Sequence, residues 1–146
     1  MIFENIDFRQ FDPDNYKDCF VSRCGKVLSV KRYRGSERNI RKTSVRGDGY
    51  VGIVIWDSAK KKVKYFYVHR LVAMAWLTVP EKYEHIPVGE LQVDHIDDNR
   101  SNNNADNLQW ISKEDHDKKT KQSEAYKAGN RSKANNQGKK TRVVNL

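Results

Sequence analysis

Hydrophobic and polar positions alternate in short runs near the start of the chain, a pattern typical of β-strands with one buried face. Residues 19–31, CFVSRCGKVLSVK, predict two short strands joined by a turn at Cys24–Gly25. The following segment, Tyr33–Gly49, is basic and poor in apolar residues. It is therefore predicted to be a loop or an irregular hairpin.

The period of the apolar positions changes near residue 69. Tyr50–Trp56 and Val63–Val68 are rich in β-branched and aromatic residues and predict a second hairpin. In His69–Leu77, HRLVAMAWL, apolar residues instead recur at helical spacing. This segment predicts a short amphipathic or buried helix, with His69 packing against the hairpin or capping it.

A strand–loop–strand–helix order follows. Leu91–Asp97 and Leu108–Ile111 are strand candidates on either side of the Asn- and Asp-rich loop Asp98–Asn107. Ser112 stands at a suitable N-cap position, and a helix is predicted from Lys113 to about Ala128. Such a ββα unit is too small to fold securely alone, so the preceding helix and hairpin are expected to form its supporting wall.

Together these elements predict an α+β fold, in which N-terminal β-hairpins and a short helix support the ββα unit. Three regions are expected. Residues 1–68 form a β-rich module, residues 69–128 carry the ββα unit, and residues 129–146 are a basic, flexible tail that follows a helix stop at Gly129.

The formal net charge of +9 makes a polyanion the leading partner, and the positive charge is concentrated in two segments. The second segment runs from Lys118 to Arg142 and begins with Lys118, Lys119 and Lys121. We predict that both segments contact nucleic acid, although they could also be solvated faces or tails. The basic residues of the first segment are Lys31, Arg32, Arg34, Arg38, Arg41, Lys42 and Arg46.

The chain has only two cysteines, Cys19 and Cys24, which lack the second pair that a cysteine zinc site needs and do not form a disulfide framework. The N-terminal sequence MIFENIDFRQF has no basic region followed by an apolar run. No apolar stretch approaches the length of a membrane-spanning helix. We therefore expect a cytoplasmic protein.

Four polar residues stand at a definite spacing in the ββα unit. Asp94 and His95 are adjacent, Asn107 follows in the chain before the second strand, and His116 is on the first turn of the predicted helix. If the helix folds back across the two strands, His116 approaches Asp94, and a carboxylate with an imidazole can hold a divalent cation. His95 can then take a proton from a water that attacks phosphorus. Asn107 suits the task of joining the loop ends and orienting His95.

Adjacent residues on a regular strand point to opposite faces. Asp94 and His95 can therefore serve one site only if the strand bends, ends or bulges there, or if they approach the phosphate from two sides. Each histidine taken alone also fits a purely structural role, and the joint spacing is what favours a site. An EF-hand does not fit, because numbering from Asp97 puts Asn102 at the glycine position and Leu108 at the glutamate position.

The motif VDHIDDNRSNNNADNLQWIS, followed by His116, resembles that of the phage HNH homing endonucleases. The segment VHRLVAMAWL before it also resembles that family, and the likeness spans residues 15–120. Carried over by position, it implies that His95 is the general base and that Asp94 and His116 are metal ligands. It implies a structural role in the site for Asn107.

The resemblance also implies a metal-dependent DNA endonuclease whose ββα-metal nuclease domain occupies residues 69–128, in a bacterial or phage-infected cell. The expected cofactor is a divalent metal ion, Mg²⁺ or alternatively Mn²⁺. The expected partner is double-stranded DNA, with no membrane and no protein partner, and a monomer would nick one strand. Two alternatives stay open: a non-catalytic DNA-binding protein with a degenerate ββα fold, and an RNA-directed enzyme.

Overall fold

The computed structural model describes residues 1–31, 37–57 and 59–122. These residues divide into two compact units. The first unit comprises Met1–His85 and Val93–Trp110, and the second comprises Ile86–Gln92 and the described residues from Ile111 onward. The predicted division at residues 68 and 128 stays a prediction, and the predicted tail at 129–146 lies outside the described residues.

The N-terminal part of the first unit is a five-stranded antiparallel sheet whose strands follow one another in chain order. Gly25 forms the turn between the third and fourth strands with a φ of 94°, a conformation that glycine adopts without strain. The hairpin predicted within residues 19–31 is thereby confirmed. The five strands are β1 (Ile2–Phe3), β2 (Ile6–Gln10), β3 (Cys19–Ser22), β4 (Val27–Lys31) and β5 (Glu37–Arg41).

The first sheet holds a small apolar core made by Phe8, Phe20, Leu28 and Val30, against which partly buried apolar side chains of β1 and β2 pack. Phe8 and Leu28 are completely buried. Burying a side chain of this size contributes about 1.5–3 kcal/mol, so these residues hold the sheet together. Cys19 and Cys24 are both free thiols, and Cys19 is buried.

The prediction of a loop or irregular hairpin at Tyr33–Gly49 is wrong for part of that segment. Glu37–Arg41 is a regular strand, β5, paired with β4 from Lys31↔Glu37 to Val27↔Arg41. Ser44–Val45 forms a second strand, β6, in another sheet. Both strands lie at sheet edges, where polar side chains on both faces are tolerated, so they lack the apolar alternation of a half-buried strand.

A second antiparallel sheet contains β6, β7 (Val51–Asp57) and β8 (Lys62–Tyr67). The hairpin of β7 and β8 confirms the second predicted hairpin. Ile53 and Ile55 of β7 are buried, whereas Val54 and Trp56 are exposed, so the alternation read from the sequence separates the two faces of the strand.

The helix α1 (Val68–Trp76) follows β8 directly and confirms the predicted helix. Val68, Leu71 and Val72 are buried on its apolar face, and the helix packs against β2, β3, β7 and β8. Trp76 anchors its end, because Nε1 donates a hydrogen bond to the carbonyl of Val21 at 3.0 Å. Within the part of the chain that the structure describes, no helix has the length and apolar character needed to cross a membrane.

A two-stranded sheet is formed by β9 (Gln92–His95) and β10 (Leu108–Ile111). The predicted second strand agrees with β10, and β9 is shorter than the predicted Leu91–Asp97. The helix α2 begins at residue 113 and continues through residue 122, the last described residue. Its predicted end near Ala128 and the stop at Gly129 lie outside the described residues. Three short 3-10 turns complete the described structure, at Glu81–Tyr83, Val88–Glu90 and Ala105–Asn107.

Candidate active site

The strand β9 ends at His95, so the chain leaves the regular strand directly after Asp94 and His95. That these two residues serve one site stays a prediction. The N–H of Asp98 donates to the carbonyl of His95 at 2.9 Å and turns the chain at this point. Asp98 has a φ of 60°, in the left-handed region that Asp tolerates better than most residues. Asp94 and His95 are both 5% exposed, so a buried carboxylate and a buried imidazole stand side by side at a strand end.

The imidazole of His95 has a polar partner in the loop that follows. Its Nε2 lies 2.8 Å from Oδ1 of Asn103, and Asn103 is itself 5% exposed. The rings of His69 and Tyr50 lie at centroid distances of 4.9 and 5.9 Å from the ring of His95. The ring of His95 is thus held both by a hydrogen bond and by packing.

The carboxylate of Asp94 is oriented from the neighbouring strand. Nε2 of Gln109, on β10, donates to Oδ2 of Asp94 at 2.9 Å. Gln109 is an exposed residue, so this hydrogen bond joins a surface amide to a buried carboxylate. Sequence reasoning missed Gln109, which carried no signal beyond its place on the predicted second strand.

Asn107 joins the two ends of the loop between β9 and β10. Its Oδ1 accepts from the N–H of Asp97 at 3.1 Å, and its Nδ2 donates to Oδ1 of Asp97 at 2.8 Å and to the carbonyl of Asn102 at 2.9 Å. The backbone adds a bond from the N–H of Ile96 to the carbonyl of Asn107 at 2.8 Å. These contacts fix the loop that carries His95 and Asn103, and a role of Asn107 in catalysis stays a prediction.

The carboxylate of Asp97 organises the same loop. It accepts hydrogen bonds from the side chain of Asn102, from the N–H of Asn99 and from the side chain of Asn107. These bonds, with that of Asn102 contributing most, hold the pKa of Asp97 below its usual range. The loop is therefore closed around an ionised aspartate at neutral pH.

His69 lies beside His95, a proximity that sequence reasoning missed. It was predicted to pack against the hairpin or cap it, and its ring contacts Tyr50 and Tyr67 at centroid distances of 5.2 and 5.5 Å. Burial, reinforced by the charges of His95 and Arg70, lowers the pKa of His69 to about 4. His69 is therefore neutral at pH 7 and adds no positive charge beside His95.

His116 belongs to the second unit. Ser112 caps α2, because its Oγ accepts from the N–H of Asp115 at 3.1 Å and its carbonyl accepts from the N–H of His116 at 2.9 Å. The predicted N-cap is thereby confirmed, and His116 follows it on the first turn of the helix. The meeting of His116 with Asp94 stays a prediction.

The donor set predicted for a cation consists of two protein ligands, Asp94 and His116. Across the described ranges, no group of three or more His, Cys, Asp or Glu side chains is gathered in a way that could hold a metal ion. A buried carboxylate at a strand end is nevertheless a suitable ligand for a hard divalent cation. A site with only a small number of protein ligands keeps coordination positions open for water and phosphate. The carboxylate of Asp94 therefore suits a divalent cation that keeps several non-protein ligands. The joint binding of a metal ion by Asp94 and His116 stays a prediction.

Part of the first basic segment lies beside aromatic side chains on the second sheet. Nη1 of Arg46 donates to the hydroxyl of Tyr67 at 3.0 Å, and its guanidinium lies 5.0 Å from the ring centroid of Tyr65. Nη2 of Arg41 donates to the carbonyl of Val54 at 3.0 Å. Contact of these cations with DNA stays a prediction.

The other predicted DNA-contacting residues differ in what the structure describes. Arg38 and Lys42 are exposed, on β5 and just after it. In the second unit Lys118 pairs with Glu114 at 3.4 Å, Lys119 is half-buried and Lys121 is exposed. The described residues do not include Arg32, Arg34, the side chain of Lys31 or the basic residues beyond Lys121.

A comparison with known proteins matches the part of the chain that contains Asp94, His95 and His116. A family model described as an HNH endonuclease matches residues 66–118, which include the end of β8, α1, β9, β10 and the start of α2. The chain is 38% identical over 91 residues to the DNA endonuclease I-HmuI of Bacillus phage SP01, covering 62% of this chain and 44% of that protein. It is 31% identical over 97 residues to an uncharacterized HNH endonuclease of Acanthamoeba polyphaga mimivirus, covering 66% of this chain and 25% of the relative.

A solved structure of DNA binding and cleavage by the HNH homing endonuclease I-HmuI matches with a TM-score of 0.60 and 28% identity. The match covers 90% of this chain and 68% of that one, and it confirms the predicted α+β fold with a ββα motif. The chain spans less than half the length of the two curated relatives. It carries an HNH endonuclease domain at residues 66–118 and is similar in sequence and structure to the phage homing endonuclease I-HmuI.

Proposed function

We propose that the protein is a metal-dependent DNA endonuclease that hydrolyses phosphodiester bonds. The observation that carries the proposal is the pair of buried residues Asp94 and His95 at the end of β9, inside the region matched by the HNH endonuclease model. A relative with this domain, I-HmuI, is named a DNA endonuclease.

In this mechanism His95 acts as the general base. It accepts a proton from a water molecule that attacks the phosphorus of the scissile phosphate, and the products are a 5′-phosphate and a 3′-hydroxyl. Asn103 and the rings of His69 and Tyr50 hold the imidazole in place. Asn107 keeps the loop closed so that this arrangement persists.

Asp94 and His116 are the residues that would hold a divalent metal ion, with Gln109 orienting the carboxylate of Asp94. When bound, a Mg²⁺ or Mn²⁺ ion stabilises negative charge on the phosphate and on the leaving oxygen. Replacing Asp94 with Ala is expected to shift the Mg²⁺ dependence of cutting to higher concentrations. An unchanged Mg²⁺ dependence in this variant would remove Asp94 from the ligand set.

Double-stranded DNA is the proposed substrate. The net charge of +9 and the exposed cations Arg38, Lys42 and Lys121 favour a polyanionic ligand. If about six phosphates are neutralised, DNA affinity should fall roughly a thousandfold between 50 and 200 mM salt. One site in a monomer would cut one strand, so the proposed primary product is a nicked duplex.

Incubation with supercoiled plasmid tests the proposal directly. Nicked circles should accumulate with Mg²⁺ or Mn²⁺ and should be absent with EDTA. Plasmid binding without any cutting in either metal would instead support the non-catalytic DNA-binding alternative. Cutting of RNA in preference to duplex DNA, measured by competition, would assign the RNA-directed alternative.

A further inference from the structure

The loop between β9 and β10 contains three consecutive asparagines, and only the middle one is deeply buried. Asn102 donates through Nδ2 to Asp97 at 3.0 Å, and Asn104 accepts from the N–H of Asp106 at 2.9 Å and caps a 3-10 turn. Asn103, at 5% exposure, instead points its Oδ1 at Nε2 of His95, 2.8 Å away. A buried amide next to a buried imidazole calls for a specific pairing of donor and acceptor.

We propose that Asn103 is a positioning residue for the general base, an inference that rests on the proposed function of His95. The side-chain oxygen of an amide can only accept a hydrogen bond, so Nε2 of His95 must carry the proton in this contact. The lone pair of the neutral ring is then on Nδ1. Asn103 would thus select which ring nitrogen accepts the proton from water, and would fix the direction in which that nitrogen points.

The place of Asn103 is fixed from the N-terminal sheet, in the same unit. A Cβ at Gly25, in the turn between β3 and β4, would lie 3.2 Å from the Cβ of Asn103 and 3.1 Å from Val68. The N–H of Ala105 donates to the carbonyl of Arg23 at 2.9 Å in the same turn. Gly25 and Arg23 lie in the turn between β3 and β4. This hairpin would therefore determine the orientation of the base through Asn103.

The opposite orientation of the amide makes the proposal testable. If the amide were turned over, its NH₂ group would donate to Nε2, and the proton of the neutral ring would be on Nδ1. The two arrangements therefore place the ring proton on different nitrogens. Nitrogen-15 NMR of the full-length protein distinguishes them at a pH where His95 is neutral, with its signals assigned by their absence in His95→Ala.

Three variants separate positioning from loop structure. Asn103→Leu has a similar volume and no acceptor, Asn103→Asp keeps an acceptor at the same place, and Asn102→Ala disturbs the loop without touching the contact to His95. Plasmid nicking is measured under single-turnover conditions at saturating protein, and the DNA dissociation constant is measured separately.

In the wild type, the proton of the neutral His95 ring is expected on Nε2. Asn103→Leu should lower the nicking rate about a hundredfold with little change in DNA affinity, because the base is misdirected rather than removed. Asn103→Asp should recover most of that rate and keep the proton on Nε2. Asn102→Ala should keep the proton on Nε2, whatever it does to stability.

A wild-type ring that carries its proton on Nδ1 would overturn the proposal, and this measurement does not depend on how the variants fold. Wild-type nicking rates in a folded Asn103→Leu protein would also overturn it. If His95→Ala itself cuts at the wild-type rate, the proposed function of His95 fails. If His95→Ala is inactive while Asn103→Leu is fully active, only the role of Asn103 fails.

Discussion

The imidazole rings of His69 and His95 lie 4.9 Å apart, measured between their centroids. Nδ1 of His69 is buried and has no hydrogen-bond partner among the residues that the structure describes. Burial is the largest cause of the lowered pKa of His69, and the charge of His95 acts in the same direction. A positive charge on one ring therefore opposes a positive charge on the other.

The burial of His69 beside His95 predicts that the free energy of unfolding decreases in acid. The pKa of His69 is about 4 in the folded protein and has a reference value of 6.5, so the unfolded chain binds the proton first as the pH falls. The contribution of His69 to the free energy of unfolding is constant above pH 6.5, decreases as the pH falls toward 4, and levels off below that. At pH 4.5 the expected loss is about 2 kcal/mol.

The control for this prediction is His69→Gln, which has no titrating group at that position. Chemical denaturation at pH 7.5 and at pH 4.5 gives, for each protein, the decrease in the free energy of unfolding that acid causes. The loss should be smaller in His69→Gln by about 2 kcal/mol. Equal losses in the two proteins would show that His69 titrates normally in the folded state.

Replacement of Gly25 is predicted to destabilise the hairpin of β3 and β4 and to slow the cutting of DNA. Alanine at this position must adopt a φ near 94°, and its Cβ would crowd Val68 and Asn103. The expected cost is about 1–3 kcal/mol in the free energy of unfolding. Gly47→Ala is the matched control, because a Cβ there meets nothing within 4 Å. Thermal unfolding of both variants checks the prediction, which fails if they are equally stable.

Arg46 is predicted to contribute to DNA affinity through its charge. Arg46→Ala should weaken binding and should reduce the slope of log affinity against log salt concentration by about 1, the effect of losing one phosphate contact. Arg46→Lys should retain most of the slope. Lys17→Ala, which removes an exposed charge outside both basic segments, serves as the control. A salt slope that is the same in Arg46→Ala and wild type would place Arg46 away from DNA.

The elements that were predicted correctly are those with a strong apolar period. β7 and α1 each bury one side, and the sequence of each shows which side that is. Ser112 was recognisable as an N-cap because its hydroxyl satisfies a local backbone donor. β5 was missed because a polar edge strand takes its register from its partner β4 rather than from its own pattern.

In the candidate site, too, only the features that are local in the sequence could be predicted. The spacing of Asp94, His95 and Asn107 was visible in the sequence because strand ends and loop closure are local features. Asn103 could not be distinguished from Asn102, because which amide faces His95 depends on the packing of the loop against the turn at Gly25. Contacts between residues far apart in the chain depend on tertiary packing, which a single sequence does not specify.

Whether His95 is the base of a DNA-cutting site can be measured from the nicking activity of His95→Ala. Wild-type and variant proteins are incubated with supercoiled plasmid and Mg²⁺, and DNA affinity is measured on the same preparations. His95→Ala is expected to bind DNA as the wild type does and to cut it at least about a hundredfold more slowly. Nicking by folded His95→Ala at the wild-type rate would contradict this role of His95.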